Sequence, residues 1–384
     1  MSLPFGAGHP PPAAVPLSLP FGAGHPPPAA VPLWVDCDPG HDDAFALWLA
    51  AFTPRAKLLG VSTLYGNSPL GNTTRNARRV LALAGHTTIP VAPGAAKPLL
   101  RPLKACEEIH GESGLEESGR PAGEPPVPEI FSPLSDLTPA VVQMHAALTA
   151  AYAEHGRATL VCTGALTNAA LLLSLYPEMC AWLKVVWMGG SMAAGNTQPV
   201  AEFNAELDPE AAAVLFTSGV HLTMVPLDVT HTAIVTSSVL ARVRAGGDGS
   251  TRFRRYASRL LLFFAETYAR VFAFKEGPPL HDPCAVLAAV SPELFTFRHL
   301  RVDIEVTSPL SFGQTVCDVW GSTGRAPNVH VATGMDVPAF WDAMLAALEA
   351  ADAASPLNEA KRTDSQLVQP GFELHLVLDE QSLS

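Results

Sequence analysis

The chain has 384 residues, of which 48% are apolar and 16% are charged, and its formal net charge is -12. This length and composition suffice for one large domain with a substantial core. The acidic balance and the lack of basic clusters argue against a nucleic-acid backbone or an anionic membrane as partner, because both require basic patches. No apolar run approaches the roughly 18 residues that a membrane span needs. We therefore expect neither a nucleic-acid partner nor a membrane partner.

The cysteines are widely spaced and form no Cys-x-x-Cys pair: Cys37, Cys106, Cys162, Cys180, Cys284 and Cys317. Several of them fall inside apolar runs, which indicates buried free thiols rather than a disulfide framework. This pattern is typical of a reducing compartment, and we expect a cytoplasmic location.

The first 33 residues contain a duplication, because residues 2–17 recur unchanged at 18–33. Neither copy carries a charged residue, so the segment resembles neither a secretory signal nor a transit peptide. Proline at this density favours an extended, flexible arm. A metal pair formed by His9 and His25 is the less favoured alternative. We assign residues 1–33 to this arm and expect them to be dispensable for catalysis.

Downstream of the arm, short β-rich runs alternate with longer helical stretches. The predicted strands are Leu33–Cys37, Lys57–Leu64, Ala158–Thr163, Lys184–Met188 and His221–Leu227. The predicted helices are Ala44–Phe52, Pro69–Ala84, Asn168–Leu175, Pro209–Ser218 and Arg252–Phe274. Near-continuous apolar strands separated by helices indicate an α/β fold, with a doubly wound, mostly parallel sheet flanked by helices.

Three further boundaries complete this interpretation. The segment Pro102–Pro139 is rich in Gly, Pro and Glu, which predicts a long loop or lid. The domain is expected to cover residues 34–352, and a polar C-terminal extension, 353–384, follows it. Within that extension, Phe372–Leu378 could form one extra strand.

An acidic segment follows the first predicted strand. Asp36, Asp38, Asp42 and Asp43 flank the turn Pro39-Gly40. Such a density of like charge is costly unless a cation neutralises it, and a hard divalent cation is the usual answer. The alternative is a turn with capping aspartates, but capping accounts for one or two acids rather than four.

Other polar residues also follow predicted strands. They lie in Tyr65-Gly66-Asn67, Thr163–Asn168 and Met188-Gly189-Gly190, and further downstream in Asn196, Glu202-Phe203-Asn204 and His281-Asp282-Pro283. In a doubly wound sheet these strand ends converge on one crevice. Asp, Asn, Glu and backbone carbonyls suit a neutral, polyhydroxylated ligand together with Ca²⁺ rather than a phosphate.

The acidic segment resembles the signature Asp-x-Asp-Pro-Gly-x-Asp-Asp-Ala of the nucleoside hydrolase family, matched from Asp36 to Ala44. Further blocks resemble that family in the same order: Gly66-Asn67, Ile109–Leu115, Thr163–Asn168, Met188–Gly190, Gly195-Asn196, Pro199–Asn204, Asp208–Ala211, Leu227–His231 and Leu280–Pro283. The resemblance covers about Leu33 to Ala350. It implies the nucleoside hydrolase fold and hydrolysis of ribonucleosides of the inosine–uridine type to free base and ribose, in nucleoside salvage.

The resemblance also implies a role for each matched residue. Ca²⁺ would be held by the carboxylates of Asp38, Asp43 and Asp282 and by the backbone carbonyl of Thr163, whose side chain need not matter. Asp38 would also take a proton from a calcium-bound water, and His281 would assist the leaving base. The substrate would be held by Asp42, Asn67, Met188, Asn196, Glu202, Phe203, Asn204 and His110. A homodimer or homotetramer is expected from the same resemblance.

Several residues have a structural alternative. Asp36 is expected to accept a hydrogen bond rather than bind the metal, because strand alternation points it away from Asp38. Asn168 is expected to cap a helix. Asp228 and His231 are expected to be structural.

Two alternatives concern the nucleobase. His110 is either a base contact or a plain surface residue. Tyr268 and Phe272 lie four apart on one predicted helix face, which makes them core residues by default, with stacking on a base as the alternative.

Two rival functions stay open at this point. A paired-aspartate phosphohydrolase is disfavoured, because that class requires Thr or Val where this chain has Gly40 and because a phosphate-binding lysine is missing. A catalytically silent nucleoside-binding protein is disfavoured by the completeness of the matched residues.

Overall fold

The computed structural model describes residues 29–119, 127–131, 138–245 and 250–359. Within these residues nine strands form one sheet. The strands are β1 (Val31–Cys37), β2 (Ala56–Thr63), β3 (Val91–Pro93), β4 (Thr159–Cys162), β5 (Lys184–Met188), β6 (His221–Val225), β7 (Phe295–Ile304), β8 (Thr315–Asp318) and β9 (Val329–Met335).

The strand order is β3-β2-β1-β4-β5-β6-β9-β7-β8. The seven strands from β3 to β9 run parallel to their neighbours, and β7 pairs antiparallel with both β9 and β8. The chain moves outward from β1 in one direction and from β4 in the other, so the winding reverses between these two neighbours. Ligands of open α/β sheets bind at such a switch point. The predicted doubly wound, mostly parallel sheet is confirmed.

Helices cover both faces of this sheet. They are α1 (His41–Phe52), α2 (Leu70–Leu83), α3 (Glu107–His110), α4 (Ala140–His155), α5 (Thr167–Leu175), α6 (Phe203–Leu207), α7 (Pro209–Thr217), α8 (Leu227–Thr230), α9 (Ser237–Arg244), α10 (Arg252–Val271), α11 (Asp282–Val290) and α12 (Val337–Ala354).

Two hydrophobic cores lie on opposite faces of the sheet. In one, α1 packs against α11 and α12 around Trp48 and Phe340, both fully buried. In the other, α5 packs against both α4 and α7, in a core that includes Met144 and Leu172. Burying each large apolar side chain contributes about 1.5–3 kcal/mol, so both faces are needed for stability. The central strands are apolar on both sides for this reason.

The predicted elements match the observed ones closely near the site and less well elsewhere. Strand β5 has the predicted bounds, while α10 ends three residues before the predicted Phe274. The segment predicted as a loop, Pro102–Pro139, contains the single turn α3. The predicted strand Phe372–Leu378 lies outside the described residues.

The packed chain begins before residue 34 and continues past residue 352. Strand β1 starts at Val31, whose amide donates to the carbonyl of Arg55 at 2.8 Å. At the other end, the Ser355 hydroxyl donates to the carbonyl of Leu83 at 2.6 Å, and Leu357 is buried. Both flanks therefore contribute to the core.

Two predicted properties of the chain can be compared with the described residues. Among them, no helix combines the length and the apolarity that crossing a membrane requires. All six cysteines have free thiols, and Cys37, Cys162 and Cys284 are buried.

Candidate active site

A cavity of about 230 Å³ opens where the strands β1, β2, β4 and β5 end. Its lining includes the predicted residues Asp42, Asn67, His110, Thr163, Met188, Asn196, Glu202, Phe203, Asn204, His281 and Asp282. Residues that lie far apart in the chain thus meet at the switch point of the sheet, as the sequence predicts.

The cavity borders an acid floor, which we define as Asp38, Asp42, Asp43 and Asp282. Asp42 and Asp282 line the cavity, whereas Asp38 and Asp43 are fully buried and are not part of its lining. Asp38 follows β1, Asp42 and Asp43 occupy the first turn of α1, and Asp282 begins α11. All four side chains are buried, with at most 5% of any of them exposed. The first turn of a helix stabilises negative charge, so the local structure favours carboxylates at three of these positions.

Asp38 is held from one side only. Its Oδ2 accepts a hydrogen bond from the Asn67 amide at 2.8 Å, whereas its buried Oδ1 has no hydrogen-bond partner among the described residues. A side chain on Gly66 or Gly164 would overlap this carboxylate, so both glycines are required by the close approach. A buried carboxylate oxygen without a partner is costly, which indicates that a ligand completes its environment.

Asp43 is the best-anchored member of the acid floor. Its carboxylate accepts from the Gly40 amide at 3.0 Å, from the Asn67 side-chain amide at 3.1 Å and from the Thr163 hydroxyl at 2.8 Å. Metal binding through the Thr163 carbonyl stays a prediction, and the Thr163 hydroxyl has a separate contact, because it donates to Asp43. Asn67 bridges Asp38 and Asp43 through its backbone and its side chain, and it therefore shapes the acid floor directly.

The acid floor carries more negative charge than its surroundings neutralise. Burial, followed by the neighbouring carboxylates, raises the pKa of Asp38 and Asp282 well above the usual range and that of Asp42 to about 7. In the part of the chain that the structure describes, no lysine or arginine hydrogen-bonds to these four acids. A cation bound among them would reverse this effect by favouring the ionised carboxylates.

The spacing of three of the acids fits a hard divalent cation. One oxygen from each of Asp42, Asp43 and Asp282 lies within 4.8 Å of the other two. Oxygen ligands about 2.4 Å from a Ca²⁺ ion lie at most about 5 Å apart, so the trio can share one ion. Asp38 is outside this trio and presents its unpartnered Oδ1. The predicted ligand set of Asp38, Asp43, Asp282 and the Thr163 carbonyl stays a prediction, and Asp42 joins the candidates.

A second group of polar residues comes from the loop before α6. Glu202 accepts hydrogen bonds from the amides of Gly190, Asn204 and Ala205 at 2.8, 2.9 and 3.1 Å, so it caps α6 and ties it to the end of β5. Burial raises the pKa of Glu202 to about 7, although these three donors favour the ionised form. The carboxylate is therefore rigidly held at the cavity wall.

Asn196 and Asn204 are also held by the backbone. The Asn196 carbonyl oxygen accepts from the Phe203 amide at 2.9 Å. The Asn204 side-chain amide donates to the carbonyls of Thr163 at 2.9 Å and Met188 at 3.1 Å. The Thr163 carbonyl, predicted to bind the metal, thus already accepts one hydrogen bond and keeps its second lone pair. These contacts orient the amide groups that line the cavity.

Rings form another part of the cavity lining, the aromatic wall, which we define as His110, Phe264, Tyr268, Phe272 and His281. Phe264, Tyr268 and Phe272 come from α10 and the residue after it, His110 ends α3, and His281 precedes α11. The Tyr268 and Phe264 rings meet edge to face, with centroids 4.6 Å apart. Flat, largely apolar rings suit a flat aromatic ligand group. The cavity therefore has one acidic side and one aromatic side.

His281 is fixed through both ring nitrogens. Its Nδ1 lies 2.7 Å from the Thr230 hydroxyl, and its Nε2 lies 2.8 Å from the Tyr268 hydroxyl. Burial, followed by the nearby His231, lowers the pKa of His281 well below the usual range, so the ring is neutral at pH 7. Because a neutral imidazole carries one proton and a hydroxyl can donate or accept, the proton can reside on either nitrogen.

His110 is a buried cavity residue, and the alternative of a plain surface position was wrong. Only 5% of its side chain is exposed, because α3 packs under α10. Its Nδ1 lies 3.0 Å from Nδ1 of His41, the residue between Gly40 and Asp42 in the acidic segment. Burial lowers the pKa of His110 well below the usual range.

The helix-cap interpretation of Asn168 was wrong. Asn168 is the second residue of α5, and its side chain instead donates to Asp36 at 2.8 Å and accepts from the Ala95 amide at 2.8 Å. It therefore joins the ends of neighbouring strands. Asp36 accepts the hydrogen bonds expected of it, since its Oδ1 accepts from Asn168 and from the Ser62 hydroxyl at 2.5 Å, whereas its buried Oδ2 has no partner among the described residues. That Asp36 does not bind the metal stays a prediction.

The structural interpretation of Asp228 and His231 agrees with their contacts. Asp228 accepts from the Met192 amide at 2.7 Å and so anchors the loop after β5. His231 packs with its ring centroid 5.4 Å from that of His281 and outside the cavity lining.

Sequence reasoning did not assign several residues in or behind the cavity lining, among them Lys104, Phe264 and His41. Lys104 lines the cavity and pairs with Glu206 at 2.9 Å, so its charge is neutralised. His41 contacts His110 from outside the lining. Tyr268 was treated as core by default, whereas its hydroxyl contacts His281. Its only sequence signal is a polar group on an otherwise apolar helix face, which also describes an ordinary core residue.

Comparisons with known proteins agree with this geometry. The sequence profile of the inosine-uridine preferring nucleoside hydrolase family matches residues 33–342. The chain is 40% identical over 316 residues to a probable ribonucleoside hydrolase of Dictyostelium discoideum, covering 80% of this chain and 91% of that protein. It is 40% identical over 304 residues to a pyrimidine-specific ribonucleoside hydrolase, RihA, of Enterobacter sp. strain 638, covering 78% and 92%.

A solved structure supports the same conclusion. The purine-preferring ribonucleoside hydrolase from Gardnerella vaginalis superposes with a TM-score of 0.75 at 28% identity, covering 84% of this chain and 99% of that one. The residues that the family profile matches also include the acid floor and the aromatic wall, which lie within residues 38–282. The chain therefore belongs to the inosine-uridine preferring nucleoside hydrolase family.

Proposed function

We propose that this protein cleaves the N-glycosidic bond of ribonucleosides of the inosine–uridine type, with Ca²⁺ bound at the acid floor. The observation that carries the proposal is the pairing, in one cavity, of four buried acids lacking a protein cation with a neutral histidine on an aromatic wall. A ribose fits the acidic side and a base fits the aromatic side, so the glycosidic bond would lie between Asp38 and His281.

The acid floor matches the charge that develops on the sugar. As the glycosidic bond breaks, positive charge grows on the ribose ring, and buried carboxylates stabilise it. Asp38 has a buried oxygen without a hydrogen-bond partner among the described residues, and we assign it the role of accepting a proton from the attacking water. Asn67 would keep Asp38 and Asp43 aligned during that step.

The donor set fits a resident hard cation. Asp42, Asp43 and Asp282, with Asp38 and the Thr163 carbonyl beside them, would hold it. When bound, Ca²⁺ would supply positive charge that lowers the pKa of a water and binds vicinal hydroxyls. A requirement for the 2′-hydroxyl, and hence for ribose over deoxyribose, follows from this arrangement.

The aromatic wall matches the charge that develops on the base. The departing base gains negative charge, and a hydrogen bond donated by His281 would stabilise it. The hydroxyls of Thr230 and Tyr268 would hold the ring in place. His281 would thus act as a neutral hydrogen-bond donor and keep its proton.

A hydrolysis panel tests the proposal. We expect the full chain with Ca²⁺ to release base from uridine or inosine, and we expect chelation with EGTA to abolish this activity and lower the melting temperature. The melting temperature reports metal binding even without turnover. Equal hydrolysis of uridine and 2′-deoxyuridine would show that the diol is not bound by the cation.

The same panel separates the rival functions. A tight complex with an intact nucleoside after hours with Ca²⁺ would instead support a silent binding protein. Release of inorganic phosphate from nucleotides would support a phosphohydrolase.

We further propose that the protein serves nucleoside salvage in the cytoplasm as a homodimer or homotetramer. The family membership and the free, partly buried thiols support this view. Light scattering at micromolar concentration tests the assembly, and a monomer would contradict it.

A further inference from the structure

Glu206 lies on α6, behind the cavity lining. Its backbone is held on two sides, because its amide donates to the carbonyl of Glu202 at 2.9 Å and Gly313 packs against its Cα. A side chain at Gly313 would come within 2.7 Å of that Cα, so this contact requires glycine. Only 9% of the Glu206 side chain is exposed. The carboxylate is therefore anchored at a place where other segments can bond to it.

Four side chains form a hydrogen-bonded cluster, which we call the Glu206 clamp: Lys104, Thr197, Gln198 and Glu206. Oε2 of Glu206 accepts from the Thr197 hydroxyl at 2.6 Å and from Nζ of Lys104 at 2.9 Å. Its Oε1 accepts from the side-chain amide of Gln198 at 2.8 Å. Nζ of Lys104 also donates to the Thr197 hydroxyl at 2.8 Å, which closes a ring of three hydrogen bonds. Burial opposes ionisation, yet the donors outweigh it and hold the pKa of Glu206 below its usual range.

The Glu206 clamp joins three segments that are separate in the chain. Lys104 belongs to the segment 94–106 that follows β3, and the threonine and the glutamine belong to the loop 195–201 that follows β5. Glu206 belongs to α6. One buried carboxylate thus ties two loops to one helix at the edge of the cavity.

The loop 195–201 carries Asn196, which lines the cavity. Because the side-chain carbonyl of Asn196 already accepts from the Phe203 amide, its NH₂ group is the part left for a ligand, and that group can only donate. The loop closes on itself, since the amides of residues 196, 197 and 198 lie 3.2, 3.4 and 3.4 Å from the carbonyl oxygen of Ala201. Its position relative to the cavity therefore depends on bonds to other segments, and the Glu206 clamp supplies three of them.

The loop lies on the acidic side of the cavity. Asn204 of α6 donates to the carbonyl of Thr163 at 2.9 Å, and the Thr163 hydroxyl donates to Asp43 at 2.8 Å. Through these contacts α6 is attached to the end of β4 and to the acid floor. A loop that is clamped to α6 therefore borders the proposed ribose position rather than the base.

We propose that Glu206 is a positioning residue, whose carboxylate clamps the loop 195–201 to α6 so that the Asn196 NH₂ group donates to a ribose hydroxyl. This inference rests on the proposed function and extends it to a residue behind the cavity lining. Without the Glu206 clamp, substrate binding must first order the loop, and that cost lowers affinity. The effect belongs to KM rather than kcat, because the loop is ordered alike in the bound substrate and in the transition state.

Kinetics of the full chain with Ca²⁺ measure this effect. Glu206→Ala should raise KM for uridine about tenfold and leave kcat within about threefold. Inosine and a ribosyl nitrophenolate should show the same rise in KM, because all three substrates share the ribose. Glu206→Gln keeps one accepting oxygen and should raise KM only about threefold. A loss confined to kcat, or a rise in KM confined to one base, would overturn the proposal.

Lys104→Met separates positioning from direct contact, because Lys104 itself lines the cavity. This variant leaves the bonds from Thr197 and Gln198 to Glu206 in place. It should therefore raise KM less than Glu206→Ala does. An equal or larger rise would show that the lysine is the group that acts on the substrate, and would overturn the proposal.

A neighbouring ion pair provides a matched control. Arg101, on the same segment 94–106, donates to both carboxylate oxygens of Glu210 on α7 at 2.5 and 3.1 Å, and neither residue lines the cavity. Glu210→Ala removes a pair of the same kind and should leave KM within about twofold. An equal rise in KM in Glu210→Ala would attribute the effect to a general loosening of the segment and would overturn the proposal.

Hydrogen exchange follows the loop without any turnover. In the full chain with Ca²⁺ and no substrate, the amides of residues 196–198 should exchange about tenfold faster in Glu206→Ala than in the wild type. Glu210→Ala should leave their exchange unchanged. Unchanged exchange in Glu206→Ala would overturn the proposal. If the wild type hydrolyses no ribonucleoside, the proposed function fails, while the exchange rates still decide whether Glu206 holds the loop.

Discussion

The acid floor and the aromatic wall border one cavity but are built in different ways. The acid floor comes from residues at strand ends and first helical turns, and groups at the neighbouring strand ends hold its carboxylates, as Gly40, Asn67 and Thr163 hold Asp43. The aromatic wall depends on pairs that no local motif contains, such as Tyr268 with His281 and His41 with His110. A floor fixed to the ends of the sheet is rigid toward every substrate, whereas a wall built from side-chain packing is the part that can discriminate among bases.

The first prediction tests the acid floor and has the largest expected effect. Replacing Asp38 by Asn should lower kcat about 10⁴-fold on uridine and equally on a ribosyl nitrophenolate, because both need the water and the sugar-stabilising charge. Absorbance assays of both substrates measure this.

Asp36→Asn is the matched control for that variant. It changes a buried carboxylate two residues earlier in the chain. The hydrogen-bond partners of that carboxylate are Ser62 and Asn168. We expect an effect on stability and a loss of kcat below tenfold. A similar loss in both variants would contradict the assignment of Asp38.

The contrast also explains what the sequence could predict. The acid floor was predicted because Asp38, Asp42 and Asp43 lie within six residues of a strand end, where parallel sheets gather their ligand sites. The strand β5 was predicted with its bounds because its apolar run starts after Lys184 and ends at Gly189 and Gly190.

The remainder depends on packing that spacing does not encode. Asn168 looked like a cap because amide side chains favour helix starts, yet a buried Asp36 beside it supplied a better partner. The hydroxyl of Tyr268 looked like part of the core because its helix face is apolar, and only the fold brings His281 within 2.8 Å. The sequence left His110 as either a surface residue or a base contact. The packing of α3 under α10 buries His110 and excludes the surface position.

The second prediction tests the aromatic wall. Replacing His281 by Ala should lower kcat/KM about 10²–10³-fold on nucleosides and less than tenfold on the ribosyl nitrophenolate, whose leaving group departs without protonation. The calcium content of the variant must be measured first, because His281 adjoins Asp282. Equal losses on both substrates with calcium retained would show that leaving-group assistance is the wrong role.

Tyr268→Phe is the graded version of the same test. It removes the hydroxyl 2.8 Å from His281 while keeping the ring that packs on Phe264. We expect a loss of about tenfold on nucleosides with little change in thermal stability, since only one hydrogen bond is lost.

The third prediction concerns pH and stability at the boundary between the two sides. Burial raises the pKa of Glu202 to about 7, from 4.5 in the unfolded chain. Between these two values the folded state keeps a proton that the unfolded state releases, so Glu202 lowers the free energy of unfolding as the pH rises from about 4.5 to 7. Glu202→Gln removes this titratable group. It also loses one hydrogen bond, because the side-chain NH2 group of Gln cannot accept from a backbone amide.

Urea unfolding at pH 5 and pH 8 checks this expectation. The variant should be about 1–3 kcal/mol less stable than the wild type at pH 5, and this deficit should shrink at pH 8. A deficit that grows with pH would show that the ionised carboxylate is the stabilised form.

The fourth prediction has the smallest effect and concerns the duplicated N-terminal segment, residues 2–33, which contains no charged residue that could join the site. Removing residues 2–28 should leave kcat/KM within about twofold, a change of about 0.4 kcal/mol in the barrier.

The sequence analysis expects residues 1–33 to be dispensable, and the structure narrows this range, because β1 already begins at Val31 and Leu33 is fully buried. A deletion that extends through Leu33 should therefore lower the melting temperature, since it removes a buried leucine worth about 2–5 kcal/mol and the pairing of Val31 with Arg55. Comparing the two truncations by thermal melts and by uridine hydrolysis locates the start of the folded domain, and a hundredfold loss of activity in the shorter deletion would place part of the site in the arm.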